Sequence, residues 1–423
     1  MGQYDRKKQS QPKHGKPSDS GASKAPVRPT RNLPGWKGPS YIPKKKSTVK
    51  PTPSATSEPP RLEHALPVEL EQQMLEVFHA TFPASNDFEA LKPTLQKIND
   101  AVFRRDFDAA FGNDEYLEAY AIRWSPSRAL GYAQLLAWIC ADRADDVCIS
   151  RLVSSAKNQS PAKVVCFGGG AAEMMAFAGL LRHLQPAEAA GRPSAPAAEV
   201  SDSFGAMSIS ASHSPAPLLH LNFIDVADWA SVLSKLDNGL KTPPTLSKYA
   251  SAAARAANTS FLSPGTLEHT FTRADILDYG TDDLRAVIAT DPALITFMFT
   301  LNELYTTSMP RTTAFLRRVT EATPKGTLLL VVDTPGAYSE VAVGNAKEGD
   351  ETRKYPMSRL LDYALLPNST RKSGSEDSDD EEPERAWEKV IDEPVMSYRL
   401  GQGLKYPVSL ENMKFQVHLF KRV

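Results

Sequence analysis

Residues 163–181 read KVVCFGGGAAEMMAFAGLL, an apolar run broken by Gly168, Gly169 and Gly170 and resumed at helical spacing. A strand, a glycine turn and a helix start bring bare backbone close to a bound ligand. Phosphates, dinucleotides and methyl donors all exploit such a turn. A phosphate loop needs GxxxxGK[ST], whose lysine and hydroxyl hold the phosphates and Mg²⁺, and GGGAAEMMA supplies neither. DTPG at 333–336 looks like a nucleotide-hydrolase switch, but it has no phosphate loop to serve. A dinucleotide fingerprint needs GxGxxG, yet position 173 is Glu, which sets a negative charge against a pyrophosphate. S-adenosylmethionine (SAM) carries a sulfonium, an amino group and a carboxylate but no phosphate, so a glycine turn with acidic neighbours suits it better. Gly168, Gly170 and Ala172 fill the small positions of the pattern hhxhGxGxA.

Acidic residues recur downstream in a matching order. Asp225 closes LNFID 57 residues after Gly168, or 25 once the 32-residue stretch 186–217 is set aside. That is near the roughly 20 expected of an acid that binds ribose hydroxyls. The same Asp also suits the N-cap of a helix beginning near Val226. Asp275 in FTRADIL is placed to meet an adenine amino group, with Ile276 against the adenine face. ITFMFTLNEL reads as a strand ending in Asn302 and Glu303, at the edge where open α/β sheets bind ligands. No Cys/His cluster has metal-ligand spacing, so no metal is expected.

The elements that must position these residues follow from periodicity. Residues 62–155 carry apolar positions at helical spacing, as in PVELEQQMLEVFHATF, and predict four to six helices in a helical domain. Trp124, Tyr132 and Trp138 in this region read as core. From residue 160 to 423 strands and helices alternate: KVVCFGG, AEMMAFAGLLRHL, LLHLNFID, ADWASVLSKL, FTRADIL, then a helix and ITFMFT, TTAFLRRVTEAT and GTLLLVVDTPG. Such alternation implies an α/β fold with a mostly parallel, doubly wound sheet. LENMKFQVHLFKRV alternates as an antiparallel edge strand would. Residues 186–217 and 367–385 are low-complexity insertions.

Residues 1–60 hold 13 Lys/Arg against three Asp/Glu and almost no apolar periodicity, which predicts a disordered basic arm. EDSDDEEPE at 376–384 carries seven acidic groups, so a near-neutral total of 49 basic and 50 acidic residues conceals a strong asymmetry. Within the arm, Trp36 stands beside Lys44, Lys45 and Lys46, a mixture suited to phosphate contact and base stacking, or to nuclear import. The absence of a signal-peptide pattern and of any apolar stretch near 18 residues predicts a soluble intracellular protein.

FGGGAAE, LNFIDVADW, FTRADIL, FMFTLNELY, LLLVVDTPG and YPVSLENMKFQVHLFKR, in that order, resemble the fungal 25S ribosomal RNA uridine-N3 methyltransferases over roughly residues 62–423. The resemblance implies a class I, seven-stranded, Rossmann-like methyltransferase that uses SAM and modifies large-subunit rRNA, or a pre-ribosomal particle, in the nucleolus. It places the cofactor against Gly168, Gly170, Asp225 and Asp275; Gly169 and Ile276 join them as expected cofactor contacts, and a monomer is expected. Pyrimidine C5 methylation requires a cysteine nucleophile, and Cys140, Cys148 and Cys166 lie in the helical region or inside a strand. The [DNS]PP[YFW] signature of exocyclic-amine methylation is replaced by LNELY. A ring nitrogen or hydroxyl remains as acceptor, in agreement with uridine N3. Glu303 is then the candidate base and Asn302 the candidate to orient the uracil edge, with Asp333 and Tyr338 lining the base pocket. A non-catalytic assembly scaffold and a protein or small-molecule methyltransferase stay open as other readings.

Overall fold

The computed structural model describes residues 62, 65–153, 161–184, 218–256, 258–288, 290–336, 338–341, 353–366 and 386–423. The basic arm with Trp36, Lys44, Lys45 and Lys46, both low-complexity insertions, and the side chain of Tyr338 lie outside the described residues.

Among the described residues six α-helices precede the first strand: α1 (Val68–Thr81), α2 (Phe88–Phe103), α3 (Phe107–Phe111), α4 (Asp114–Arg123), α5 (Ser125–Asp142) and α6 (Val147–Val153). The starts of α2, α3 and α4 are encoded locally. Asp87, Asp106 and Asn113 each accept the backbone N–H three residues on, at 2.9–3.1 Å, and so satisfy one of the donors a helix start leaves free.

Alternation begins with β1 (Ala162–Phe167), α7 (Ala171–Leu184), β2 (Leu219–Asp225), α8 (Ala230–Lys241), a short α9 (Ala252–Ala256) and β3 (Leu267–Arg273). It continues through α10 (Thr281–Ile288), β4 (Leu294–Met298), α11 (Leu301–Thr307), α12 (Met309–Ala322) and β5 (Leu328–Asp333). After β5 come a separate antiparallel pair, β6 (Tyr338–Val341) and β7 (Arg353–Pro356), then α13 (Met357–Leu365), β8 (Trp387–Tyr398) and β9 (Met413–Arg422).

Seven strands form one sheet in the order β3-β2-β1-β4-β5-β9-β8. Strands β1 to β5 are mutually parallel, and β9 runs antiparallel to both β5 and β8. The order reverses between β1 and β4, so helices cover both faces and the sheet is doubly wound. One expectation is corrected. β9 is not an edge strand but lies inside the sheet, with Phe415 through Phe420 all buried. The edge belongs to β8, whose WEKVIDEPVMSY is broken by charges, a proline and two register shifts. Proline and bulges are tolerated where one side of a strand has no partner.

Period-two alternation divides the core. Val164 and Cys166 face a cluster that holds Met174, Phe177 and Leu236, whereas Val165 and Phe167 face another with Phe297, Phe315 and Leu361. There Phe167 stacks on Phe297 at 5.2 Å and meets Phe315 edge-on at 5.5 Å. The early helices share the first cluster: Tyr132 and Leu136 of α5 belong to it with Phe415 and Val417 of β9. Fully buried Glu71 on α1 ties the parts together, accepting from Gln134 Nε2 at 2.9 Å and from the Tyr398 hydroxyl at 2.8 Å.

Candidate functional site

The parallel strands end on one edge of the sheet, and α2 to α5 lie across it. Between them is a cleft of about 830 Å³. Because each strand delivers the residues just after its end, the turn after β1 and the carboxylates after β2, β3 and β5 all line this one cleft.

The glycine turn is built for close approach. Gly168 has φ +70°, and a Cβ there would stand 2.3 Å from the Thr300 side chain. A Cβ on Gly169 would meet Cys166 Cβ at 2.7 Å, and one on Gly170 would meet the Trp229 ring at 3.1 Å. Gly168 and Gly170 line the cleft, and Gly169 supports them from behind. Glu173, argued from sequence to repel a pyrophosphate, turns back and accepts the Gly170 N–H at 2.8 Å. That is half of a capping box, and it pins the turn to the start of α7. Burial holds the Glu173 carboxyl up to about 7, against the Gly170 N–H, which favours the anion.

Asp225 is not the N-cap of a helix at Val226. Helix α8 starts at Ala230, and Asp225 Oδ1 instead accepts the Ala227 N–H at 2.7 Å in a tight turn. Burial pushes its carboxyl up to about 7. Asp275 caps a short 3₁₀ turn through the Leu277 N–H at 2.9 Å, and its other oxygen accepts from Arg311 at 3.3 Å. Ile276 is buried in the core beneath, and Leu277 occupies the cleft wall expected of it.

The segment after β4 differs from its expected form. The strand stops at Met298, because Phe299 adopts φ +60° and turns the chain. A left-handed non-glycine residue is uncommon and is favoured only where its surroundings fix it. Here the Phe299 N–H donates to the Val332 carbonyl at 2.7 Å, and its ring packs 6.3 Å from that of Tyr132. Asn302 and Glu303 therefore lie not at a strand end but in the first turn of α11. Glu303 lines the cleft and pairs with Arg105 at 3.6 Å. Asn302 does not line it; its backbone N–H donates to Asp333 Oδ2 at 2.9 Å, and its carboxamide oxygen is buried without a partner. Asp333, at the end of β5, also accepts the Thr334 N–H at 2.7 Å, and burial holds it up to about 6.

Aromatic rings furnish the opposite wall. Tyr120, Trp124 and Tyr132 line the cleft, with Tyr120 4.9 Å from Trp124 and 6.0 Å from Trp229. Trp124 and Tyr132 read as core in the sequence, and Tyr132 is indeed buried while still facing the cleft. Arg128 was not singled out, although one cation in the apolar stretch SPSRALGYAQLLAW was the available signal. The three cysteines are free and buried, with the thiols of Cys140 and Cys148 pushed up to about 12 by burial, so none is a poised nucleophile. Among the described residues no group of three His, Cys, Asp or Glu is placed to hold a metal, and no helix is long and apolar enough to cross a membrane.

These residues fit SAM. A glycine turn that lines the cleft suits close approach of the cofactor, and two carboxylates in series suit ribose hydroxyls and an adenine amino group. Among solved structures, the chain is similar to a SAM-dependent methyltransferase from Methanosarcina mazei, at 7% identity and TM-score 0.29 over 63% of this chain and 95% of that one. It is also similar to a SAM-bound amino pentose methyltransferase from Micromonospora echinaspora, at 10% identity and TM-score 0.29 over 70% and 92%. A curated relative, the 25S rRNA (uridine(2843)-N(3))-methyltransferase of Saccharomyces cerevisiae, is 27% identical over 359 residues, 82% of this chain and 85% of the relative. The family model described as "Putative SAM-dependent methyltransferase" matches residues 78–421. That span takes in the whole cleft, and the chain belongs to this family of SAM-dependent methyltransferases.

Proposed function

We propose that the chain methylates N3 of a uridine in large-subunit rRNA, and that it does so on a pre-ribosomal particle in the nucleolus. The observation that carries the reading is the composition of one cleft. A glycine and carboxylate half suited to SAM adjoins a half walled by Tyr120, Trp124, Tyr132 and Phe299 and closed by Glu303. Flat apolar walls suit an unstacked base, and a carboxylate at the edge suits an acidic imide N–H. The identity to the yeast uridine-N3 enzyme supports the same acceptor.

SAM, when bound, supplies an electrophilic methyl group. The chain supplies the rest. Glu303 accepts the N3 proton as the methyl bond forms, after releasing Arg105. Both oxygens of Asp333 are engaged by backbone N–H groups, so Asp333 is an anchor and not the base. Asn302 acts through that anchor: its N–H fixes the start of α11, and with it the reach of Glu303. The aromatic wall and α5 exclude water and hold the ring for in-line transfer. Trp36, Lys44, Lys45 and Lys46 of the arm add phosphate and stacking contacts that tether the particle.

The test is direct. The purified full chain is incubated with labelled SAM and unmodified large-subunit rRNA, and nucleosides are resolved by mass spectrometry. N3-methyluridine at a single site is expected. Label in a 2′-O-methylated or base-amino-methylated nucleoside would overturn the reading, and SAM binding without any transfer would leave a scaffold.

A further inference from the structure

SAM bears one anionic group, the carboxylate of its amino-acid end, and burying that group unpaired is costly. The cleft is a poor place for it. Seven acidic residues line the walls: Asp106, Asp108, Glu173, Asp225, Asp275, Glu303 and Asp333. Among the described residues only two cations do, Arg105 and Arg128, and Arg105 is half exposed and paired with Glu303.

Arg128 is different. It is the only charged residue of α5 before Asp142 at the helix's last position. Its guanidinium lies 5.4 Å from the centre of the Tyr120 ring and 5.2 Å from that of Phe299, and it donates to the Tyr120 hydroxyl. Among the described residues it makes no ion pair. Among the described residues its guanidinium makes no hydrogen bond besides the one to Tyr120, so donors of its fork remain to grip a carboxylate through two N–H bonds. Burial works against its charge, but Tyr120, Tyr132 and Glu173 outweigh it and hold the cation firmly protonated. Arg128 lines the same cleft as Gly168 and Gly170, and Glu173 is among the groups that favour its charge.

We infer that Arg128 binds the carboxylate of SAM, so that the cofactor spans from Arg128 at its amino-acid end to Asp275 at its adenine end. Glu173, on the first turn of α7, faces the adjoining ammonium. The inference depends on the cofactor being SAM and is indifferent to the methyl acceptor.

Decarboxylated SAM, which keeps the sulfonium and the amine, isolates the contact. Calorimetric titration of the full chain is expected to show SAM binding about 10- to 100-fold tighter than decarboxylated SAM, the range of a charge-assisted pair. Arg128→Met should abolish that preference, weakening SAM while leaving decarboxylated SAM within about two-fold. Arg128→Lys, which keeps the charge and loses the fork, should fall between and serves if the Met variant fails to fold. Equal weakening of both ligands would mean that Arg128 only packs α5, and would overturn the inference. Unchanged SAM affinity with weaker, less salt-dependent RNA binding would reassign Arg128 to a phosphate. A wild-type chain that binds neither ligand would overturn the cofactor site itself.

Discussion

The carboxylate of Asp333, at the end of β5, holds the backbone N–H of Asn302, in the first turn of α11, at 2.9 Å. One side chain thus fixes where α11 begins relative to the neighbouring strand, and Glu303 is the next residue along. Asp333→Ala leaves the Asn302 and Thr334 N–H groups without an acceptor, at about 1–3 kcal/mol for each group left unsatisfied. Asp333→Asn keeps one acceptor oxygen. Thermal melts should rank wild type above Asn above Ala. Turnover should fall more steeply than SAM affinity, and the reverse order would mean that Asp333 serves the cofactor directly.

Glu303→Gln keeps the size and removes the base. Turnover on rRNA should fall about 10²- to 10⁴-fold, the usual span of general-base removal, while calorimetric SAM affinity stays near wild type. Activity within a few-fold of wild type would remove Glu303 from the proton transfer.

Gly168→Ala introduces a Cβ 2.3 Å from the Thr300 side chain at a φ of +70°. The turn must move, and SAM affinity should drop at least about ten-fold through strain of order 1–3 kcal/mol. Pairing the change with Thr300→Gly removes the clash but not the backbone strain, so recovery should be partial. Full affinity in Gly168→Ala would show that the turn is not held as described.

The cleft carboxyls make stability depend on pH with a definite sign. Folding raises Glu173 from 4.5 to about 7, Asp225 from 3.8 to about 7 and Asp333 from 3.8 to about 6, each mainly by burial. Between those values the folded chain holds protons that the unfolded chain has released. Stability therefore falls as pH rises from about 4 to 7, by up to about 1.4 kcal/mol per pH unit for each fully titrating group. Half-buried His220 and buried His418, lowered from 6.5 chiefly by desolvation, work the other way. The Glu173→Gln difference isolates one carboxyl, which faces Arg128 and Asp225. Its melting temperature relative to wild type should rise with pH across this window, and a constant offset would refute the shift. Binding of cationic SAM should expel the Glu173 proton, which appears as a buffer-dependent binding enthalpy near pH 7.

The parts of the site legible in the sequence are those that follow directly from a strand. Gly168, Asp225 and Asp275 each sit within two residues of a strand end, so alternation alone aligns them on one edge. Glu303 lies one element further on than its sequence suggests, because ITFMFT is rich in β-branched and aromatic residues throughout and nothing in it announces the left-handed turn at Phe299. Arg128 and Tyr132 were missed because their role depends on α5 crossing the sheet edge, a tertiary fact that helical periodicity does not encode. Strand β8 escaped because an edge strand with charges and a proline lacks the apolar run that marks inner strands. It took its neighbour's place at the edge, and β9 was misplaced for that reason.

The insertion of β9 between β5 and β8 has a bearing on biogenesis. The ribosome makes β5 some eighty residues before the strand that covers its open side. During that interval β5 presents a bare edge that is apolar up to Asp333, a form prone to wrong pairing. Gln416 of β9 also secures the Thr334 carbonyl at 2.7 Å, directly beside Asp333. Of the seven strands in the sheet, the one that closes it beside Asp333 is thus the last to be synthesised.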